Sequence, residues 1–300
     1  MPKDLLDLVY SIMLSMKFDI EPLANAHCDT GENPLWDADK RLIYWEDIPN
    51  GRVFQLNVDT LEWSKIYDGP LVGGFTLQED GRLLLFRENE FGILQDDGSV
   101  QSLARDLFPE TGRFNDVMAD PFGGVLAGTM GKERGLNGGL FHVSPSGEMK
   151  QLWTGSNCSN GMGYSPDRKT FYWTNTTAKT IFAFDHDPQN GQFSNVRAFI
   201  QTPIHEGSPD GMAVDANGEI WSARWGGWGI FHYDLEGKLI EKIEMPVERV
   251  SSLIFGDDDL QSLYITTAGG KDDSDTADGT LYRVRVNVKG QPEYRSRVGL

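Results

Sequence analysis

GENPLWDADKRLIYWEDIPNGRVFQLN occupies residues 31–57. A run ending at Trp36 meets the polar turn DADK, a second run RLIYWEDI follows, then a turn through Pro49 and Gly51, then RVFQLN. Apolar, aromatic-rich runs bounded by Asp, Asn, Pro and Gly are what short antiparallel strands require. The same succession recurs along the chain. QEDG, DPFGG, SPDRK, DANG and GDDDLQ lead into RLLLFREN, GVLAGTM, TFYWTNT, EIWSARW and SLYITTA. Those lead into FGILQDD, GGLFHVS, TIFAFDHD, GIFHYDL and GTLYRVR. Anchored at the strand end before each turn, the units start at Trp36, Leu77, Ala119, Tyr164, Val214 and Ile254, spaced 41, 42, 45, 50 and 40 residues apart.

Six units with that period predict an all-β, six-bladed propeller, in which each four-stranded sheet buries its faces against its neighbours. Trp45, Phe86, Trp173, Trp221 and Tyr264 are expected to wedge between blades. No Pro- or Ser-rich linker divides the chain, so residues 21–300 are expected to form one propeller. Residues 1–20 are expected to form a helical extension: Leu5, Leu8, Val9, Ile12 and Met13 have amphipathic spacing. Asp4 and Asp7 flank or interrupt this apolar run, which argues against a signal peptide, and the run is too short to span a bilayer.

With 27 Lys and Arg against 45 Asp and Glu, the formal charge is −18. Such a balance repels nucleic acid and anionic lipid, so neither is expected as a partner. Two cysteines, Cys28 and Cys158, make no disulfide framework, and a cytoplasmic setting is expected. A monomer or weak homo-oligomer is expected.

In a propeller, residues just before the first strand of each unit converge on the channel mouth although far apart in sequence. That position holds Glu32 in the first unit, Arg113, Asn115 and Asp116 in the third, Asn160 in the fourth and Asp210 in the fifth. The second unit offers only GGFTLQ, the sixth Ser251 and Ser252. Two carboxylates and an amide are oxygen donors suited to a hard divalent cation. Taken singly, Asn160-Gly161 and Asp210-Gly211 read equally well as turn dipeptides. The five histidines show no zinc spacing, and no G-x-S-x-G elbow or dinucleotide fingerprint occurs. Lys271–Gly279 is acidic but lacks the closing Glu of a calcium-binding EF-hand loop.

The segments GENPLWDADKRLIYWEDIPNGRVFQLN, RFNDVMADPFGGVLAGTM, SNGMGYSPDRKTFYWTNTTAKTIFAFDHD and SPDGMAVDANGEIWSARWGG together resemble the family of senescence marker protein (regucalcin), gluconolactonase and bacterial sugar lactonases. The resemblance spans about residues 24–290. It implies a six-bladed propeller with one divalent metal in the channel, calcium first among calcium, zinc, manganese and magnesium. By the same resemblance Glu32, Asn160 and Asp210 match the metal ligands, with Asp210 also the general base. Arg113 and Asn115 match a substrate-binding pair, Glu133 a further substrate contact, and Asp116 a supporting residue beside the site. The implied reaction opens sugar lactones, such as glucono- or xylonolactone, to aldonic acids. The rivals are an arylesterase or organophosphate hydrolase on the same scaffold, and a non-catalytic calcium-binding or interaction propeller. Asn175 stands where the family often has Asp and is expected near the channel. Trp225 and Trp228 could wall a sugar face or pack the blade.

Overall fold

The computed structural model describes residues 18–107, 112–131, 138–269 and 277–300. They form six four-stranded antiparallel sheets arranged as propeller blades. The first five are meanders of consecutive strands. Blade 1, for example, runs through Gly31–Asp37, Leu42–Asp47, Arg52–Asn57 and Trp63–Asp68. Burial grades across each sheet: Gly31–Asp37 is buried throughout, whereas Trp63–Asp68 is mostly exposed. This grading is why the inner strands read as near-continuous runs and the outer ones as polar.

Blade 6 is closed by the other end of the chain. Val250–Gly256, Ser262–Thr267 and Thr280–Arg285 are completed at the outer edge by Ile20–Asn25, antiparallel to Thr280–Arg285. The ring is thereby stitched by backbone hydrogen bonds between residues more than two hundred positions apart. The first strand starts at Ile20, one residue before the expected propeller boundary. Most of the expected N-terminal helix, residues 1–17, lies outside the described residues.

The five wedge aromatics are where the repeat predicts them. Trp45, Phe86, Trp173, Trp221 and Tyr264 are each no more than 2% exposed. Trp45 stacks on Phe54 at 5.2 Å, and Phe86 meets Phe114 of the next blade edge-on at 5.0 Å, geometries that aromatic quadrupoles favour.

Two features position the site. Near its start, each inner strand slips register against the second strand of its blade: at Glu32/Leu35, Val72/Gly74, Phe114/Val117, Asn160/Met162, Pro209/Met212 and Val250/Ser252. A bulge of this kind bends the strand and re-aims side chains. Asn33 and Asp116 adopt φ of 47° and 52° there. Asn160-Gly161 and Asp210-Gly211 are thus parts of inner strands Ser159–Tyr164 and Ser208–Val214, not turns. Gly161 is required by close approach: a Cβ would sit 2.6 Å from the Asp210 carbonyl.

The opposite end of the channel is crossed by the C-terminal segment. Gly290 N donates to Leu260 O (2.8 Å), Gln291 Nε2 to Tyr164 O (3.0 Å) and Val214 O (3.1 Å), Ser296 N to Leu77 O (2.9 Å) and Arg297 N to Gly123 O (2.9 Å). Arg295 pairs with Asp37 at 3.2 Å. The strap therefore touches all six blades and seals one end, leaving the bulged end as the mouth.

Candidate active site at the channel mouth

The bulges gather side chains from four blades. Arg113 and Asn115, on strand Arg113–Ala119, begin a relay whose orientation is fixed at both ends. A guanidinium can only donate, and Arg113 donates to Asn115 Oδ1 at 2.8 Å and to Phe114 O at 2.8 Å. Asn115 Nδ2 then donates to Asn160 Oδ1 and to Ser159 O, both at 2.9 Å. Asn160 Nδ2 donates to Thr176 Oγ1 at 2.9 Å, and that hydroxyl donates to Pro209 O at 2.7 Å, a group that can only accept. No amide in this series can be turned over without setting donor against donor. Asn160 is held with its oxygen toward Asn115, and that oxygen keeps a second lone pair.

The acids differ from the amides in being poorly satisfied. Glu32 Oε2 accepts one bond, from Asn33 N at 3.0 Å. Asp210 accepts none from the described residues, although it is only 5% exposed. Burial, then the charges of Asp210 and Asp116, push the Glu32 carboxyl well above the usual carboxylate range. Burial, then Asp116, does the same to Asp210, against the opposing pull of Arg113 and Arg224. Burial pushes Asp116 up to about 7.

A fourth acid belongs with these three. Glu46 lies directly across the sheet from Glu32, is fully buried, and has no partner for either carboxylate oxygen. Burial pushes it up as well, opposed by Arg113 and assisted by Asp116. Sequence reasoning passed over Glu46 because YWED reads as an ordinary strand end. The available signal was a carboxylate in the second strand of a blade, where the other blades carry apolar or hydroxyl residues. Arg224, also fully buried, donates to Tyr233 OH at 2.6 Å and to Ser222 Oγ, beside Asp210. Ionised together, four carboxylates against two guanidiniums would carry an excess of two negative charges, and the raised proton affinities reflect that cost. Unpaired buried charge is costly enough that such a set calls for a counter-ion. An all-oxygen donor set and a charge deficit of two fit a hard divalent cation.

Cys158 packs against the amides, with Asn160 Nδ2 3.4 Å from its sulfur, and burial followed by the charge of Asp210 pushes its thiol up to about 12. Ser251 is occupied structurally, its hydroxyl donating to Gly31 O and lying 3.0 Å from Thr266 Oγ1. Asn175 is likewise tied into a turn, its Oδ1 accepting from Ser156 Oγ (3.2 Å) and Ala178 N (3.1 Å). Trp225 carries the Arg249 guanidinium 5.5 Å over its ring, and Trp228 is 49% exposed, so neither is a core wedge. Glu133 lies outside the described residues. The one His/Cys/Asp/Glu cluster of metal-ligating spacing among the described residues, Asp215, Glu219 and His232, is elsewhere in blade 5. Its members already hydrogen-bond one another, with His232 Nε2 donating to Glu219 at 2.9 Å.

A six-bladed propeller with a buried acidic and amide cluster at one channel end is the class that fold and site define. Residues 30–269 match the family model described as the SMP-30/Gluconolactonase/LRE-like region. The chain belongs to that family, as its segments implied. It is 38% identical to pentonolactonase XacC of Haloferax volcanii over 287 residues, covering 93% of this chain and 98% of that protein. It is 31% identical to rabbit (Oryctolagus cuniculus) regucalcin, covering 94% and 99%. The crystal structure of a calcium-binding protein, regucalcin, from Agrobacterium tumefaciens superposes with a TM-score of 0.86 at 25% identity, covering 93% and 98%.

Proposed function

We propose that this protein hydrolyses sugar lactones to aldonic acids, using a divalent cation held at the channel mouth by Glu32, Asn160 and Asp210. The observation that carries this is the set of buried, under-satisfied carboxylates beside an oriented amide relay. The names of the relatives, pentonolactonase and the calcium-binding regucalcin, support both halves of it. A cation there supplies Lewis-acid polarisation of the lactone carbonyl, and calcium is the first choice because every donor is a hard oxygen.

The chain's own groups do the rest. Arg113 presents a guanidinium fork to the oxygens of the ring and its hydroxyls. Asn115, tied to both Arg113 and Asn160, keeps that fork in register with the reacting carbonyl. Asp210 accepts the proton of the attacking water, and Asp116, next to it, modulates its basicity by charge. Glu46 adds negative charge that holds Arg113 at the mouth. Burial of the site makes each of these electrostatic terms larger than in water.

The test is Asp210→Asn, which keeps an oxygen ligand but removes the base. With divalent metal restored to the site, turnover of pentono- and hexonolactones should stay near the spontaneous background. Recovery of most of the rate would leave Asp210 as a ligand only. Metal binding by the unaltered protein with no lactone turnover would replace the enzyme reading with a binding propeller. Faster turnover of an aryl ester or phosphotriester than of every lactone would replace the substrate class.

A further inference from the structure

Between blades 3 and 4, away from the channel mouth, lies a cavity of about 680 Å³. That volume is far larger than a packing defect and falls in the range of small-molecule sites. Phe122, Trp153, Phe184 and Phe193 give it an aromatic side, and polar side chains such as Lys150 and Asn190 line the remainder. Trp153 stands edge-on to Phe184 at 5.7 Å yet remains 39% exposed, a large ring at the rim rather than in the core. Two histidines, His142 and His186, also line the cavity.

The hydrogen-bonding state of both histidines follows from their partners. His186 Nδ1 lies 2.5 Å from the Arg168 carbonyl, which can only accept, so Nδ1 carries the proton. Nε2 of the neutral ring is then a lone-pair acceptor. It is buried and has no partner, although the residue is only 5% exposed. The imidazole is enclosed by Tyr164 (4.9 Å), Phe193 (5.1 Å) and Phe122 (6.2 Å), none of which supplies a donor to it. His142 Nε2 faces Asp120 Oδ2 at 2.7 Å. Asp120 is held below the usual carboxylate range by His142 and by the backbone N–H groups of Phe122 and Gly124, against the effect of burial. The His142 ring therefore donates from Nε2 to Asp120.

Flat aromatic rings beside one imidazole nitrogen that lacks a donor point to the ligand chemistry. We infer that this cleft is a second binding site, separate from the channel, for a small neutral aromatic molecule bearing a hydroxyl, with His186 Nε2 accepting the hydroxyl proton.

The test is ligand-observed fluorine NMR with 4-fluorophenol and its hydroxyl-free counterpart 4-fluorotoluene. The unaltered protein should bind 4-fluorophenol saturably and about tenfold more tightly than 4-fluorotoluene, the equivalent of one well-made hydrogen bond. His186→Phe should abolish that preference. Trp153→Ala, at an exposed rim position and therefore safe for folding, should weaken both probes together. Lactone turnover, which belongs to the channel, should be unchanged in both variants. Equal affinity for the two probes, no saturable binding of either, binding unaffected by Trp153→Ala, or tighter binding of methyl glucoside than of 4-fluorophenol would each overturn the assignment.

Discussion

Buried acids stand at both ends of the inner strands, and they are of two kinds. At the strap end, Asp215 accepts from Asn217 N (2.8 Å), Glu219 N (3.0 Å) and Trp221 Nε1 (3.0 Å). Asp120 accepts from Phe122 N (2.7 Å), Gly124 N (2.9 Å) and His142. These carboxylates cap turns and are fully served by donors. At the mouth, Glu32, Glu46 and Asp210 are as deeply placed and Asp116 is half-buried, but Glu32 accepts only from the neighbouring Asn33 N–H and neither Glu46 oxygen has a partner. Burial raises their affinity for protons, whereas the donors around Asp120 lower its own. The difference separates structure from function more sharply than burial or residue type does. Asp in a turn stabilises the fold, whereas unsatisfied Asp in a bulge costs stability and retains charge for a ligand.

The largest contrast should come from paired substitutions at the two ends. Asp210→Ala should abolish lactone turnover and calcium binding while leaving the thermal midpoint of the metal-free protein unchanged or higher. Asp215→Ala should do the reverse. It strands the Trp221 indole N–H and two backbone donors, costing roughly 2–4 kcal/mol in denaturant unfolding, with calcium affinity intact. Loss of stability in the first or loss of calcium in the second would erase the distinction.

The pH dependence sharpens the same point. Glu293, on the strap, faces Asp116 across the chamber beneath the site, and burial followed by that charge pushes its carboxyl from 4.5 up to about 7. A carboxyl that binds its proton more tightly when folded contributes stability that is present below its unfolded value. That stability is lost as pH rises through about 7. Glu293→Gln should therefore make the metal-free protein more stable than its parent at pH 8, by at most about 3 kcal/mol, with the gain shrinking to nothing near pH 4. A constant difference across that range would show that Glu293 is solvated in the folded state.

The smallest expected effect is the most selective. Asn115→Ala should lower kcat/KM for hydroxylated lactones more than for an unsubstituted lactone, by about 0.5–1.5 kcal/mol of differential effect. Equal losses would reduce Asn115 to a structural link between blades 3 and 4.

Much of this was legible in the sequence because a propeller repeats. The turn after each inner strand fixes the unit length, and Glu32, Asn115, Asn160 and Asp210 then fall at equivalent positions. The wedge aromatics were readable for the same reason. The closure of blade 6 by Ile20–Asn25 was not, since backbone pairing between distant segments leaves no local pattern. Nor was the strap, whose contacts are largely to carbonyl oxygens that every residue possesses. The bulges hid behind Asn-Gly and Asp-Gly, which local propensity assigns to turns and which here answer to close approach between strands. Glu46 escaped because an acid near a strand end ordinarily faces water.

The most direct test of the central claim is a calcium titration of metal-free protein at pH 8, with binding heat and proton release from a pentonolactone measured on the same samples. One calcium per chain should bind, and turnover should rise from the spontaneous rate in proportion to occupancy. Full lactone turnover in the presence of chelator, with no calcium heat, would contradict the account at its base.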